Sequence, residues 1–168
     1  MRLKFILFLL VLCFSFKGFS CDCMIRKLKE TRKFESEFSD VVFLGEVISV
    51  DNSTYKFKIL EVFKGLENTK VLEGELFTSC SFTPQIGKGP WLVYANLVNG
   101  KLDISQCGVS RSYSEPYLIM TKSYTPPSPG LNENEYQEHI SKLINKGQKD
   151  WRKEVNILRN KKTKLGSP

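Results

Sequence analysis

Cys21-Asp22-Cys23 is the part of this chain whose residue types and spacing could do chemistry. It stands where a secretory signal peptide ends by pattern. Cleavage after Ser20 makes Cys21 the first mature residue, which then carries an α-amino group, a neighbouring carbonyl and a thiol. Such a residue can bind a metal through nitrogen and oxygen, form a disulfide, or accept a lipid.

The signal reading rests on Arg2 and Lys4, the apolar run from Phe5 to Phe16, and the small-residue exit Gly18-Phe19-Ser20. An apolar run of about a dozen residues is short for a bilayer, so residues 1–20 are expected to be removed rather than to anchor the chain. The formal charge of +7 then falls to about +4, and about 148 residues remain, enough for one domain with a water-excluding core. Residues 1–20 aside, no apolar stretch is long enough to span a membrane. The expected location is secreted, extracellular or cell-envelope. Lipidation of Cys21 fits the sequence poorly, because Phe19 stands two places before the cysteine and Gly18, not Leu, three before it.

Cys13 lies in the signal, leaving Cys21, Cys23, Cys80 and Cys107. Four cysteines in an exported chain allow three pairings. A bridge between Cys21 and Cys23 closes a strained ring, so two long-range bridges are favoured, each worth on the order of 3 to 5 kcal/mol by loop entropy. The plainest role for Cys21 and Cys23 is as structural staples of a small exported domain.

The rest of the chain argues against catalysis. His139, the single histidine, falls on an amphipathic segment away from any partner, and no nucleophile elbow, phosphate-binding glycine loop or metal-spaced cluster of histidines and carboxylates is present. No resident cofactor is implied. Lys161, Lys162 and Lys164 with Tyr55, Phe57 and Phe63 raise nucleic-acid binding as a rival class. Those aromatics fit strand interiors better, and an exported disulfide-bonded domain seldom meets nucleic acid.

The elements that must position the cysteines are mostly strands. After a short charged helix over residues 25–33, Asp40 to Val50 is dense in strand formers and Asp51-Asn52-Ser53 is turn chemistry. Thr54 to Phe63 alternates, with Tyr55, Phe57 and Ile59 on one face. Thr69 to Phe77 is a third strand. Trp91 to Ala95 is a fourth whose unbroken apolar run predicts burial on both faces. Val98-Asn99-Gly100-Lys101 is a hairpin turn leading into a short fifth strand, Leu102 to Ser105. Beyond a Pro-rich join over 126–131, Tyr136, Ile140, Leu143, Ile144, Trp151, Val155 and Leu158 recur at helical spacing, and Asn132 with Glu135 resembles an N-cap pair. The expected organisation is a barrel unit over 21–125, a helix over 132–160 and a basic tail over 161–168. Gly147 is either a close-packing point on that helix or a break in it.

The ordered set of a mature-terminal Cys-x-Cys, the strand Ser39-Asp40-Val41-Val42-Phe43-Leu44-Gly45-Glu46-Val47, a cysteine after Thr78-Ser79, the strand Trp91-Leu92-Val93-Tyr94-Ala95, and Cys107 resembles the tissue inhibitors of metalloproteinases and the wider netrin-like module. The resemblance spans roughly Cys21 to Ser112. It implies a mostly β fold, a five-stranded Greek-key barrel of the OB type with a C-terminal amphipathic helix and a disulfide-stapled N-terminus. It further implies bridges Cys21 to Cys80 and Cys23 to Cys107. The inhibitory wedge would be Cys21, Asp22, Cys23, Thr78, Ser79 and Cys80, with the amine and carbonyl of Cys21 ligating the catalytic zinc of a target protease. The implied partner is thus a zinc metalloprotease or, if the fold serves only as an interaction module, another extracellular protein. This chain departs from the family at Asp22, where a small hydroxyl residue is usual, and at Glu37, where a further cysteine is expected.

Overall fold

The computed structural model describes residues 21–66 and 69–165, with the side chains of residues 164 and 165 left aside. The expected signal segment, residues 1–20, lies outside the described residues. A helix α1 (Leu28–Phe38) precedes strands β1 (Val41–Asp51), β2 (Thr54–Lys64), β3 (Val71–Glu75), β4 (Trp91–Val98), β5 (Lys101–Asp103) and β6 (Arg111–Ser112), and a long helix α2 (Glu133–Leu165) ends the described chain.

Strands β1 to β5 close into a five-stranded barrel, to which β6 is added along β4. Their order is β1-β2-β3-β5-β4-β6, and β1 also pairs with β4. β3 and β5 meet in parallel at Gly74 and Leu102, and every other pair in the sheet is antiparallel. The β1–β2 turn places Asn52 at φ 43°, and the β4–β5 turn places Asn99 and Gly100 at φ 52° and 79°. Two successive left-handed residues are what a tight hairpin of matching twist requires.

Alternation along the strands divides the core in two. Phe43, Tyr55, Phe57, Val93 and Leu102 fill the barrel. Val42, Leu44, Leu92 and Tyr94 face outward beneath Leu28, Leu143, Trp151, Val155 and Leu158 of the two helices. β4 is therefore apolar on both faces, as its unbroken run predicts. Tyr55 crosses the barrel, its hydroxyl donating to the Leu102 carbonyl at 3.0 Å. Its ring lies so close over Gly74 that a Cβ there would fall 2.1 Å from it. On β2 the alternation slips at two irregularities in register with β1, between Val42 and Phe43 and between Leu44 and Gly45. Leu60 is consequently exposed, and Phe63 turns from the barrel to the outer core.

Both helices extend further than their sequence boundaries suggest. α1 carries on through Phe34 to Phe38, where Phe34 and Phe38 stack one turn apart at 4.5 Å. α2 starts with a capping box: Glu135 N donates to the Asn132 carboxamide oxygen and Asn132 N to the Glu135 carboxylate, both at 3.0 Å. It runs unbroken past Gly147, where an added Cβ would meet Pro116 at 2.7 Å, so this glycine is a close-packing point. It also continues past residue 160, so Lys161, Lys162 and Lys164 belong to the helix rather than to a separate tail. Arg159 chelates the Glu61 carboxylate, with its closest contact at 2.8 Å, and Lys162 Nζ donates to the Val62 carbonyl at 2.8 Å.

Candidate functional site

The N-terminal segment ahead of α1 carries no regular secondary structure over residues 21–25 and is fastened along its length. Cys21 is bonded to Cys80 and Cys23 to Cys107, each pair with Cα atoms 5.2 Å apart. These are the pairs implied by the resemblance. Further on, Arg26 bridges Thr121 in parallel, Lys122 N donates to the Arg26 carbonyl at 2.9 Å, and Leu28 N donates to Ser123 Oγ at 3.1 Å. The terminus is thus held from three directions: the β3–β4 connection, the turn after β5, and the irregular stretch before α2.

The two bridges touch. Cys21 Sγ lies 3.5 Å from Cys107 Sγ, and the sulfurs of Cys21, Cys23 and Cys107 fall within 4.8 Å of one another. All of them are committed to disulfides, so this cluster offers no thiolates to a metal in the oxidised chain. Cys21 and Cys23 are half-buried and Asp22 between them is exposed.

The loop carrying Cys80 has its own internal bonding. Ser81 Oγ accepts from the backbone N–H groups of Phe77 and Thr78 at 3.1 and 3.0 Å and donates to Asp103 Oδ1 at 2.7 Å. Cys80 N donates to Thr78 Oγ1 at 3.1 Å. Gln106 N donates to the Cys80 carbonyl and Phe82 N to the Ile104 carbonyl, at 2.9 and 2.7 Å. Thr78 and Ser79 remain exposed at its tip. The residues singled out from the sequence, Cys21, Asp22, Cys23, Thr78, Ser79, Cys80 and Cys107, therefore lie together, with the Asp22 side chain and the loop tip open to solvent. Met24 and Ile25 follow Cys23 at 73% and 54% exposure.

A second polar constellation escaped the sequence reading. Glu154 of α2, 3% exposed, sits among Arg111 of β6, Arg32 of α1 and Tyr94 of β4. Arg111 donates to Glu154 Oε2 at 2.5 Å, Tyr94 donates to Oε1 at 2.7 Å, and Arg32 Nε forms an ion pair with Oε2. Burial and the Glu154 charge push the Tyr94 hydroxyl far above the usual phenol range. Tyr94 stays neutral and donates. This network ties both helices to the barrel.

Other candidates from the sequence resolve simply. His139 Nε2 lies 3.2 Å from the Thr125 carbonyl, a tie between α2 and the preceding segment. Tyr55 and Phe57 are 1% and 0% exposed inside the barrel, unavailable for stacking on bases. Among the described residues no helix is long and apolar enough to cross a membrane. No protein-family model matches the chain, and no curated protein matches it either.

Proposed function

We propose that the protein is secreted, that signal cleavage frees the Cys21 amine, and that it inhibits a zinc metalloendopeptidase by presenting that amine and the Cys21 carbonyl to the catalytic zinc. One observation carries this reading: the segment that would begin the mature chain, Cys21 to Cys23, is clamped by two disulfides beside a well-bonded loop, with Asp22 and Met24 exposed. A catalytic zinc keeps a coordination position for water, and an amine nitrogen with the adjacent carbonyl oxygen closes a chelate ring there. A terminal amine titrates near about 7.7 to 8.0, so a fraction is neutral at pH 7 and zinc draws the rest. Clamping the segment before contact reduces the ordering cost of binding.

Asp22 then selects the target. Its carboxylate enters the protease pocket beside the zinc, and burial of an unpaired charge costs several kcal/mol. The preferred protease therefore offers a cation or a polar, hydrated pocket at that position. Substituting Asp22→Thr widens inhibition toward proteases with apolar pockets.

The test is a panel of zinc endopeptidases assayed with the purified mature protein, its N-terminal mass confirmed, and again after carbamylation of the amine or insertion of Ala before Cys21. Inhibition lost in both modified forms supports zinc ligation. Inhibition unchanged by either modification overturns it, and no inhibition across the panel favours an extracellular interaction module with the same fold.

A further inference from the structure

Charge is unevenly placed along the chain. Residues 142–164, all in α2, carry nine Lys or Arg and two acids, whereas the other residues from Cys21 to Pro168 carry 13 Lys or Arg and 16 acids. Both acids of that helical segment are spent within the fold: Glu154 is buried against Arg32 and Arg111, and Asp150 accepts the Tyr124 hydroxyl at 3.0 Å. The helix dipole favours cations in the last turn only. Lys149, Arg152 and Lys153 stand about three turns or more from either end of α2.

These three side chains belong to the outward face of the helix. α2 turns its apolar stripe, with Leu143, Trp151, Val155 and Leu158, into the outer core, which leaves Lys149, Arg152, Lys153, Asn156 and Asn160 on the opposite side, all exposed. Among the described residues, Lys149, Lys153, Asn156 and Asn160 have no side-chain hydrogen bond or ion pair. Arg152 lies over the Tyr113 ring, 5.8 Å from its centre, and its N–H groups meet no acceptor among the described residues. Nearby acids do not reverse the sign of this face. Glu138 is paired with Lys142 at 2.6 Å and Glu61 with Arg159 at 2.8 Å, and the exposed Glu30 and Glu37 of α1 are matched by the exposed Lys29 and Lys33. Glu133 and Glu135 open the helix, about 21 Å or more before Lys149 and beyond a screening length of about 8 Å.

Unpaired cations followed by free carboxamides along about 17 Å of helix suit an anionic, hydroxyl-rich chain, with the cations meeting its acid groups and the carboxamides its hydroxyls. A bilayer fits less well, because a helix lying on one inserts an apolar face, and that of α2 is already buried in the outer core. Ile157, 44% exposed, is a single side chain about 100° round the helix from Asn156.

We propose that the outward face of α2 binds an anionic polysaccharide, with Lys149, Arg152 and Lys153 on its acid groups and Asn156 and Asn160 on its hydroxyls. An exported chain meets polysaccharide rather than nucleic acid, so this choice of ligand rests on the secretion proposed above; it needs neither the Cys21 amine nor a protease. The probe is short, fluorescein-labelled dextran sulfate, its anisotropy followed on titration with the oxidised mature protein at about 0.15 M salt. Neutral dextran, phosphatidylglycerol vesicles and duplex DNA form separate arms. Expected is saturable binding of dextran sulfate, none of neutral dextran, and weaker binding of vesicles and DNA at equal concentration of anionic groups. K149E/R152E/K153E weakens binding by about tenfold or more, whereas reversing three exposed lysines elsewhere, K58E/K70E/K122E, weakens it by less than about threefold. Both keep the wild-type circular dichroism. N156A/N160A, which leaves the charge unchanged, weakens binding by about fivefold. Absence of saturable dextran sulfate binding overturns the proposal, as do equal losses in the two triple variants or binding undiminished by N156A/N160A. Tighter binding to vesicles or to duplex DNA assigns the face to a membrane or a nucleic acid instead and overturns it as well.

Discussion

The two disulfides are coupled, and that coupling sets the size of a measurable effect. Their sequence separations are 59 and 84, for which loop entropy alone gives about 4.3 and about 4.6 kcal/mol. Yet Cys21 and Cys23 are neighbours but one, so either bridge already brings the terminus to the barrel. With one bridge intact, the other closes a ring of only roughly 30 residues, from Cys80 to Cys107 and back through Cys21 to Cys23, worth about 3.6 kcal/mol. C21S/C80S and C23S/C107S are thus expected to lose nearly equal stability despite their different spans. The quadruple variant loses about 8 kcal/mol, within the whole stability of about 5 to 15 kcal/mol usual for a domain. Urea unfolding followed by Trp fluorescence and by circular dichroism gives each value by linear extrapolation, provided the two signals coincide. A gap above about 1.5 kcal/mol between the two double variants, or a quadruple variant no less stable than either, refutes the shared-ring reasoning.

Three further outcomes follow from the same structure. Glu154→Gln leaves the buried Arg111 guanidinium without its counter-charge and is expected to cost about 3 to 5 kcal/mol in the same urea assay; a cost under about 1 kcal/mol contradicts the network's role in holding the helices. Gly147→Ala should lower the melting temperature by overpacking against Pro116, because a clash of about 1 to 3 kcal/mol outweighs a helix-propensity gain of about 1 kcal/mol; a higher melting temperature counts against the close contact. Glu35 is held above the ordinary glutamate range by burial, partly offset by its hydrogen bond from Ser39. As pH rises, the unfolded chain releases this proton first, so the group's contribution is greatest below the ordinary glutamate value and declines up to the raised folded value. Glu35→Gln is therefore expected to raise the melting temperature relative to wild type at about pH 7 and to leave it unchanged near about pH 4; an equal difference at both pH values refutes this assignment.

The barrel was legible because its signals are local. Alternation on β2 to Ile59, the double-faced run of β4 and the Asn99-Gly100 turn each specify their conformation within a few residues, and closure follows once every strand face must be buried. β6 was not legible, since two residues, Arg111 and Ser112, carry no period and pair only because β4 leaves an edge beside them. The Arg111–Glu154 pair was hidden for a related reason: its partners are 43 residues apart, and in sequence each looks like a solvated surface charge. Gly147 was ambiguous because only Pro116, brought across by the fold, distinguishes packing from a break. At the terminus, spacing disfavoured a Cys21–Cys23 bridge, and the choice between the two long-range pairings came from the family resemblance.

The central claim is that Cys21 meets a zinc ion, and the most direct measurement is the visible spectrum of a cobalt-substituted target protease, chosen from those the mature protein inhibits. Adding the protein with its amine free is expected to shift the cobalt d–d bands in one-to-one proportion as an amine nitrogen and a carbonyl oxygen replace water. The Ala-extended form should leave the bands unchanged. A spectrum unaltered by the inhibiting protein, or altered equally by the extended form, contradicts zinc ligation by Cys21.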